Sequence, residues 1–341
     1  MKICVVGAGA IGGMLAVRLA HSGHEVSVIL RGANLAAVKS EGMSLIDEKG
    51  TTTHAAMARA TSSIAECGPQ DLVILALKAH QVPGIAAELP ALYHSGTRVA
   101  TMQNGIPWWY FHKLASPWQG TALATIDPDG VTAKYIDIDR VIGSVVYPAS
   151  EVIRPGVIQV IEGNRFTLGE LDGSENESIL SIAKAFRNAG FKAPISSDIR
   201  SEIWLKLWGN LSFNPISALT HATLEDICVF PGTRELAANM MREAQAIGER
   251  LGVQFKVSLD KRIAGAQAVG QHKTSMLQDV EMGRPMELLA LVGSVLELGK
   301  ITSTATPTIE SVYALASLLA QQLKAKNGAA QGALQIRLPQ A

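Results

Sequence analysis

The sequence predicts a two-domain protein, in which an α/β domain built on a parallel sheet precedes an all-helical domain. Short apolar runs typical of buried strands alternate with helical segments over roughly the first 195 residues. Beyond Pro194 no convincing strand pattern follows, and long helical periodicities take over. A chain of 341 residues with 48% hydrophobic content can fill about two cores of this kind.

The first domain opens with a β-α-β unit. Residues 2–6 form an apolar run that ends at glycine and predicts a strand, residues 11–21 predict a helix, and residues 25–30 predict a second strand. Further strands of the same sheet are predicted at 71–77, 97–102, 140–146, 157–161 and 165–169. A helix over residues 177–189, followed by Gly190, completes this domain.

The second domain is predicted to contain only helices. They are expected at residues 199–213, 232–251, 258–269, 285–300 and 308–325. We place the boundary near residue 195, which gives domains 1–195 and 196–325. Residues 326–341 are rich in Ala, Gly and Gln without a clear helical face, and they predict a mobile tail.

Composition and charge exclude several classes of partner. Thirty basic residues balance thirty acidic ones, so no electrostatic argument favours nucleic acid or an anionic membrane surface. No segment offers about 20 clean apolar residues, so a membrane span is not expected. The three cysteines are widely separated and lack CxxC spacing, which predicts neither disulfides nor a metal site. A reducing, cytoplasmic location and a small-molecule substrate are therefore expected.

A glycine-rich motif follows the first strand and opens the first helix. It fits GxGxxG and reads Gly7, Ala8, Gly9, Ala10, Ile11, Gly12. Such glycines permit a tight turn and the close approach of a pyrophosphate to backbone amides. Alone the pattern is weak, and a glycine turn without a ligand is the alternative. Between a strand and a helix at the start of the chain, it predicts a Rossmann-type dinucleotide-binding domain.

The residues at the ends of other strands indicate which dinucleotide binds. Arg31 ends the second strand, where an acidic residue would bind the ribose of NAD and a basic one a 2′-phosphate, so NADP is favoured over NAD. Arg31 as a plain surface charge is the alternative. Lys78 follows the strand at 71–77 and is placed to flank the cofactor phosphate or adenosine. Asn104 follows the next strand near the same crevice, although Asn-Gly is also an ordinary turn.

A second motif sets one lysine and two amides four residues apart on an apolar helix. Lys206, Asn210 and Asn214 share one face because the helical period is 3.6 residues. The remaining circumference is covered by Ile203, Trp204, Leu207, Trp208, Leu211 and Phe213. A buried lysine loses its proton more readily than one in water, as a proton donor near neutral pH requires. An exposed polar stripe is the alternative.

Together these residues resemble the ketopantoate reductase family. The match continues in the segment SMLQDVEMGRPME, from Ser275 to Glu287, and extends from residue 1 to about 325. The resemblance implies NADPH-dependent reduction of 2-dehydropantoate to pantoate in pantothenate biosynthesis. It also implies a Rossmann domain followed by a helical domain of the 6-phosphogluconate dehydrogenase C-terminal type, closing over the substrate between them.

The resemblance also implies roles for individual residues. Lys206 would be the general acid, and Glu287 would be a second polar group near the lysine and the cofactor. Asn104 would bridge the cofactor ribose and the substrate. Ser275 would contact the carboxylate end of the substrate, although a helix cap is the simpler role for this residue. Asn210 and Asn214 would orient the substrate or hold the lysine.

Several positions depart from the family pattern. Leu288 and Leu289 follow Glu287, where the family often has Ile-Asp, and His272 stands where Asn is frequent but still suits a carboxylate. An aromatic stretch at residues 106–112, with the Trp108-Trp109 pair, predicts either a lid, a more apolar pocket, or packing against the helical domain.

These departures leave two alternatives to a 2-dehydropantoate reductase. One is a paralogous reductase of another branched or aromatic 2-oxo acid. The other is a non-catalytic NADPH-binding regulator, against which the Lys206 and Glu287 pair argues, since a sensor needs no proton donor. The apolar C-terminal helices are compatible with a homodimer.

Overall fold

The computed structural model describes the backbone of residues 1–336 and the side chains of residues 1–326. The chain divides into two compact units, Met1–Ile203 and Trp204–Ala341. The division lies slightly beyond the predicted boundary near residue 195, because the helix that starts at Ile199 runs through it.

The first unit contains two sheets. Its strands are β1 (Lys2–Val6), β2 (Glu25–Ile29), β3 (Met43–Ile46), β4 (Thr52–Ala55), β5 (Arg59–Thr61), β6 (Leu72–Leu75), β7 (Arg98–Thr101), β8 (Val141–Val146), β9 (Ala149–Arg154), β10 (Val157–Glu162) and β11 (Phe166–Glu170). The larger sheet has the order β11-β8-β7-β6-β1-β2-β5. Its neighbouring strands are parallel except β11, which is antiparallel to β8. The predicted α/β class is confirmed.

The helices of the first unit connect these strands. They are α1 (Ala10–His21), α2 (Gly32–Glu41), α3 (Val131–Tyr135), α4 (Glu177–Asn188) and the first turn of α5 (Ile199–Thr220). A 3-10 turn at Ile64–Cys67 precedes β6. Helix α1 and the apolar residues of β1, β2 and β6 share one buried core.

The smaller sheet corrects one prediction. Residues 157–161 were expected to extend the main sheet, but β10 pairs with β3 and β9 in a separate sheet of order β4-β3-β10-β9. This sheet packs on α1, where Ile158 lies so close that a Cβ on Gly13 would meet its Cδ1 at 2.6 Å. Strands β3, β4 and β9 are short and partly polar, so periodicity did not reveal them.

The second unit is all-helical in its described residues, as predicted. It continues α5 and adds α6 (Leu224–Val229), α7 (Pro231–Arg250), α8 (Leu259–Ala268), α9 (Ser275–Glu281), a π-helical turn (Leu289–Gly293), α10 (Ser294–Ile301) and α11 (Pro307–Ile336). The two helices of this unit that sequence analysis missed, α6 and α9, have only 6 and 7 residues, too short for a periodic pattern.

Two helices run further than predicted. Helix α5 continues past Pro215 to Thr220 because Ile216 and Ala218 are buried beyond the proline, and this burial outweighs one lost backbone bond. Helix α11 continues beyond residue 325 to Ile336, and residues 337–341 of the predicted tail lie outside the described residues. In the described part of the chain, no helix has the length and hydropathy needed to cross a membrane.

Candidate active site and cofactor cleft

The predicted cofactor residues lie at the carboxyl ends of four adjacent strands. Gly7 follows β1, Arg31 follows β2, Lys78 follows β6 and Asn104 follows β7, and these strands are neighbours in the order β7-β6-β1-β2. Strand β1 lies between β2 and β6. The chain therefore continues from β1 to β2 on one side, and β6 and β7 are added on the other side of β1, so the strand order reverses at β1. Ligands of open α/β sheets bind at such a switch point.

The glycine turn has the geometry that a pyrophosphate requires. Gly7 has φ of +92°, and a Cβ on Gly12 would meet the Gly7 carbonyl oxygen at 2.3 Å, so both positions need glycine. Gly9 is exposed, and no described atom lies within 4 Å of the place where its Cβ would be. The turn is therefore closed on its inner side and open at Gly9.

The N-terminus of α1 offers the donors for an anion. No side chain of the described residues caps this helix, and its first turn contains no carboxylate. The first amide groups of a helix lack intrahelical partners and carry a partial positive charge, which favours a phosphate. The turn from Gly7 to Gly12 thus fits a dinucleotide. Among the described residues there is no group of three or more His, Cys, Asp or Glu side chains suited to a metal ion.

Arg31 stands directly before α2 in extended conformation, and its side chain is exposed. No acidic residue occupies the end of β2, where Leu30 precedes Arg31. A guanidinium at this position suits a 2′-phosphate and offers nothing to a free 2′-hydroxyl that a carboxylate would bind. Lys78 and Asn104 are half-buried at the ends of their strands.

Gln103 is a positioning residue that sequence analysis did not single out. Its Nε2 donates hydrogen bonds to the carbonyl oxygens of Leu75 at 2.7 Å and Leu77 at 3.0 Å. These bonds tie the end of β7 to the end of β6, and so they fix the backbone on which Asn104 and Lys78 stand. The one local sign of this role in the sequence is the amide side chain of Gln103, directly before Asn104 at the end of a strand.

The aromatic stretch after Asn104 belongs to the core of the first unit. Trp109 donates from Nε1 to Thr101 at 3.1 Å, and its ring packs against Gly143. Arg200 donates to the carbonyl oxygens of Tyr110 at 2.7 Å and His112 at 2.5 Å, which holds the backbone of the segment. Trp109, Tyr110 and Phe111 are fully buried, which argues against a mobile lid formed by these three rings.

In the second unit, α5 carries Lys206, Asn210 and Asn214 on successive turns. Lys206 and Asn210 are half-buried, and Asn214 is buried. The opposite face of the helix is anchored by tryptophans: Trp208 Nε1 donates to the Met241 carbonyl at 2.7 Å, and its ring packs on Phe255 with centroids 4.8 Å apart. This anchoring fixes the rotation of α5, so the polar face keeps one direction.

The structure brings Lys206 and Glu287 close enough to interact electrostatically. Burial lowers the pKa of Lys206 from 10.5 to about 8, while the negative charge of Glu287 opposes the shift. The ammonium is therefore charged at neutral pH but releases its proton more readily than an ordinary lysine. The face formed by Lys206, Asn210 and Asn214 is not a fully exposed polar stripe, because Asn214 is buried and the other two residues are half-buried.

Glu287 immediately precedes the helical segment that contains the π-helical turn Leu289–Gly293. Its carbonyl oxygen accepts a hydrogen bond from the Leu291 amide at 3.1 Å. The helix thus starts later than the predicted residue 285, and this hydrogen bond ties the backbone of Glu287 to its first turn. Leu289 is 50% exposed two residues beyond it.

Ser275 and His272 lie on another segment of the second unit. Ser275 is the first residue of α9 and is exposed, while Thr274, not Ser275, caps the helix through a hydrogen bond to the Leu277 amide. His272 is half-buried, and its carbonyl accepts from the Leu224 amide. The hydroxyl of Ser275 is therefore not used as the helix cap. The substrate-binding roles of both residues stay predictions.

Comparisons with known proteins agree with this geometry. Residues 3–110 match the family model of ketopantoate reductase PanE/ApbA, and residues 198–320 match its C-terminal model. A 2-dehydropantoate 2-reductase of Mesorhizobium japonicum is 53% identical over 321 residues, which are 94% of this chain and 98% of the relative.

Solved structures give the same result. A crystal structure described as a candidate ketopantoate reductase from Ralstonia solanacearum MolK2 has a TM-score of 0.90 and 40% identity, covering 95% of this chain and 98% of the other. The 2-dehydropantoate 2-reductase of Geobacter metallireducens has a TM-score of 0.81 and 27% identity, covering 93% and 99%.

Proposed function

The chain belongs to the ketopantoate reductase family, and from this premise we propose that it reduces 2-dehydropantoate to pantoate in pantothenate biosynthesis, with Lys206 as the general acid. The cofactor is NADPH, which this family uses. The observation that carries the proposal is the lowered pKa of Lys206, a half-buried ammonium beside the carboxylate of Glu287.

Reduction of a ketone needs a hydride at the carbonyl carbon and a proton at the carbonyl oxygen. Bound NADPH supplies the hydride. Lys206 Nζ donates the proton to the oxygen, and its positive charge stabilises the alkoxide as it develops. Asn210 and Asn214, one and two turns further along α5, offer amide groups that orient the substrate or the lysine.

Glu287 adjusts the pKa of Lys206, the proposed general acid. Burial alone would push the pKa of Lys206 further down and leave less of the ammonium form at neutral pH. The carboxylate keeps the lysine protonated before the reaction, and burial makes the proton easy to release. The balance of these two effects suits a proton donor near neutral pH.

The test of this function is NADPH oxidation with purified protein and a panel of 2-oxo acids. The proposal expects the highest kcat/KM with 2-dehydropantoate. A second candidate, a reductase of bulkier branched or aromatic 2-oxo acids, is favoured by Leu289, an apolar and 50% exposed side chain where the family often has Asp. A clear preference for bulkier acids would replace the first assignment with the second. Tight NADPH binding without oxidation by any acid would favour the regulator.

The rate of reduction is expected to fall as pH rises through about 8, because Lys206 must carry the proton that it donates. Replacing Glu287 with Gln removes the charge that raises the pKa of Lys206, so the alkaline limb of the kcat profile should move to lower pH. The measurement is kcat across the neutral and alkaline range. Glu287→Asp keeps the charge and should retain a limb near the original. An unmoved limb in Glu287→Gln would contradict the coupling.

Replacing Arg31 with Ala is expected to weaken NADPH binding by about 1.5–3 kcal/mol, roughly 10-fold to 150-fold, while NADH binding changes little. Only NADPH carries the 2′-phosphate that this guanidinium can bind. Fluorescence titration gives both Kd values. Lys39→Ala, which removes an exposed cation from the last turn of α2, is the matched control and should leave both unchanged. Equal weakening of NADPH binding and NADH binding would show that Arg31 does not contact the 2′-phosphate.

A further inference from the structure

Helix α5 contains a glycine in its interior, where an arginine of α8 approaches its backbone. Gly209 is buried, and an alanine at this position would favour the helix more than glycine does. A Cβ on Gly209 would meet the Nη2 atom of Arg262 at 2.0 Å and its Cζ atom at 2.8 Å. The guanidinium of Arg262 therefore lies directly against the backbone of α5, in space that a glycine leaves open.

The packing of α8 holds Arg262 in this place. Helix α8 packs against α6 and α7, and its residues Ile263 and Ala266 are buried. The Cys228 thiol of α6 donates a hydrogen bond to the Ile263 carbonyl oxygen at 3.7 Å, which ties α8 to α6 next to Arg262. Arg262 itself is half-buried. The position of its guanidinium thus depends on the packing of helices and not on a loop.

The guanidinium borders the same part of α5 as the proposed general acid. Gly209 follows Lys206 by three positions and directly precedes Asn210. Residues three positions apart on a helix are neighbours on its surface, with about 5–6 Å between their Cβ atoms. Lys206, Asn210 and Arg262 all belong to the second unit, Trp204–Ala341. An ammonium, an amide and a guanidinium therefore line one region of this unit.

The substrate class needs a positive charge in addition to that of Lys206. A 2-oxo acid carries its carboxylate on the carbon next to the ketone, so the carboxylate binds close to the oxygen that Lys206 protonates. The charges of Lys206 and Glu287 balance each other, and the carboxylate of Glu287 repels that of the substrate. A guanidinium is positively charged and presents a planar set of donors that matches a carboxylate. Arg262 offers this group.

We propose that Arg262 binds the carboxylate of the 2-oxo acid, and that Gly209 is the position that admits its guanidinium to α5. The inference rests on the proposed reductase function. It adds a charged group to the hydroxyl of Ser275, which is expected at the same end of the substrate. It also makes the carboxylate, and not only the ketone, a requirement of the site.

Arg262 and Lys206 are expected to control different kinetic constants. The carboxylate keeps its charge throughout the reaction, so a contact to it is equally strong in the bound substrate and in the transition state. Loss of such a contact raises KM and leaves kcat nearly unchanged, whereas loss of a proton donor lowers kcat. Arg262→Met should raise KM for 2-dehydropantoate about 10-fold to 150-fold. Arg262→Lys, which keeps the charge but not the planar group, should recover part of the loss.

Gly209→Ala tests the same contact without removing the arginine. The added methyl group would displace the end of a flexible side chain, so KM should rise while the free energy of unfolding does not fall. Denaturant unfolding of each variant checks the fold. Lys261→Met is the matched control, because Lys261 is an exposed cation one position before Arg262 on α8, and it should change neither KM nor stability.

The measurements are NADPH oxidation with 2-dehydropantoate and calorimetry of pantoate binding to the protein with NADP bound. Pantoate carries the same carboxylate and needs no turnover, so its Kd should rise together with KM in Arg262→Met. An active original protein whose KM and pantoate Kd are unchanged in Arg262→Met, or a fall of kcat without a rise of KM, would overturn the inference and leave the proposed function standing. Failure of the proposed function is a different result, because the original protein would then oxidise NADPH with no 2-oxo acid.

Discussion

Replacing Lys206 with Ala is expected to lower kcat for the reduction of 2-dehydropantoate by about 10²–10⁴-fold, the usual contribution of a general acid. The Kd of NADPH should stay nearly unchanged, because the dinucleotide residues lie on the first unit, at the carboxyl ends of its strands. Steady-state kinetics and fluorescence titration measure the two quantities separately. Similar losses in both would mean that Lys206 supports cofactor binding, and its role as the acid would be wrong.

Lys206→Arg distinguishes the two proposed contributions of Lys206, the donated proton and the positive charge. An arginine keeps a permanent positive charge near the carbonyl oxygen, but its pKa lies far above neutral, which makes it a poor proton donor. We therefore expect Lys206→Arg to recover only a small part of the lost rate. Full recovery would show that charge alone stabilises the alkoxide. Lys300→Ala is the matched control, because Lys300 is an exposed lysine of the same unit in the last turn of α10.

The glycine turn and the lysine helix could be predicted because each is encoded within a short segment. Gly7 to Gly12 form one turn between a strand and a helix, and Lys206, Asn210 and Asn214 form one face of one helix. Local spacing fixes such features whatever the rest of the chain does. The low pKa of Lys206 was also foreseeable in direction, since the surrounding sequence is apolar.

Features that depend on distant contacts could not be predicted in this way. The sheet that contains β10 forms because Ile158 packs on Gly13, a contact between residues 145 positions apart, that is 158 minus 13. The continuation of α5 past Pro215 depends on the burial of Ile216 and Ala218, which overrides the local signal of the proline.

The same distinction applies within the candidate site. Gln103 acts by bonding to carbonyl oxygens of a different strand end, and the aromatic stretch is held by Arg200, almost a hundred positions along the chain. Neither partner is visible from the local pattern. The residues that position the site are therefore harder to predict than those proposed to contact the cofactor or the substrate.

Replacing Gly12 with Ala is expected to damage both the fold of the first unit and cofactor binding. The new methyl group would lie 2.3 Å from the Gly7 carbonyl oxygen and 3.0 Å from the Ala76 Cβ, and a backbone oxygen cannot move aside as a flexible side chain can. Overpacking of this kind costs about 1–3 kcal/mol of the free energy of unfolding. Because the carbonyl belongs to the turn itself, NADPH affinity should fall by at least about tenfold as well, which corresponds to about 1.4 kcal/mol.

Gly9→Ala tests cofactor binding to the glycine turn without disturbing the fold of that turn. No described atom lies within 4 Å of its added methyl group, so the free energy of unfolding should not fall, yet the methyl group would stand where the pyrophosphate is expected to approach the backbone. Denaturant unfolding and NADPH titration together should therefore show a stable protein with weakened binding. Gly265→Ala, a helical glycine of α8 with equally open surroundings, should change neither binding nor fold adversely. If Gly9→Ala binds NADPH as tightly as the original protein, the pyrophosphate does not lie on this turn.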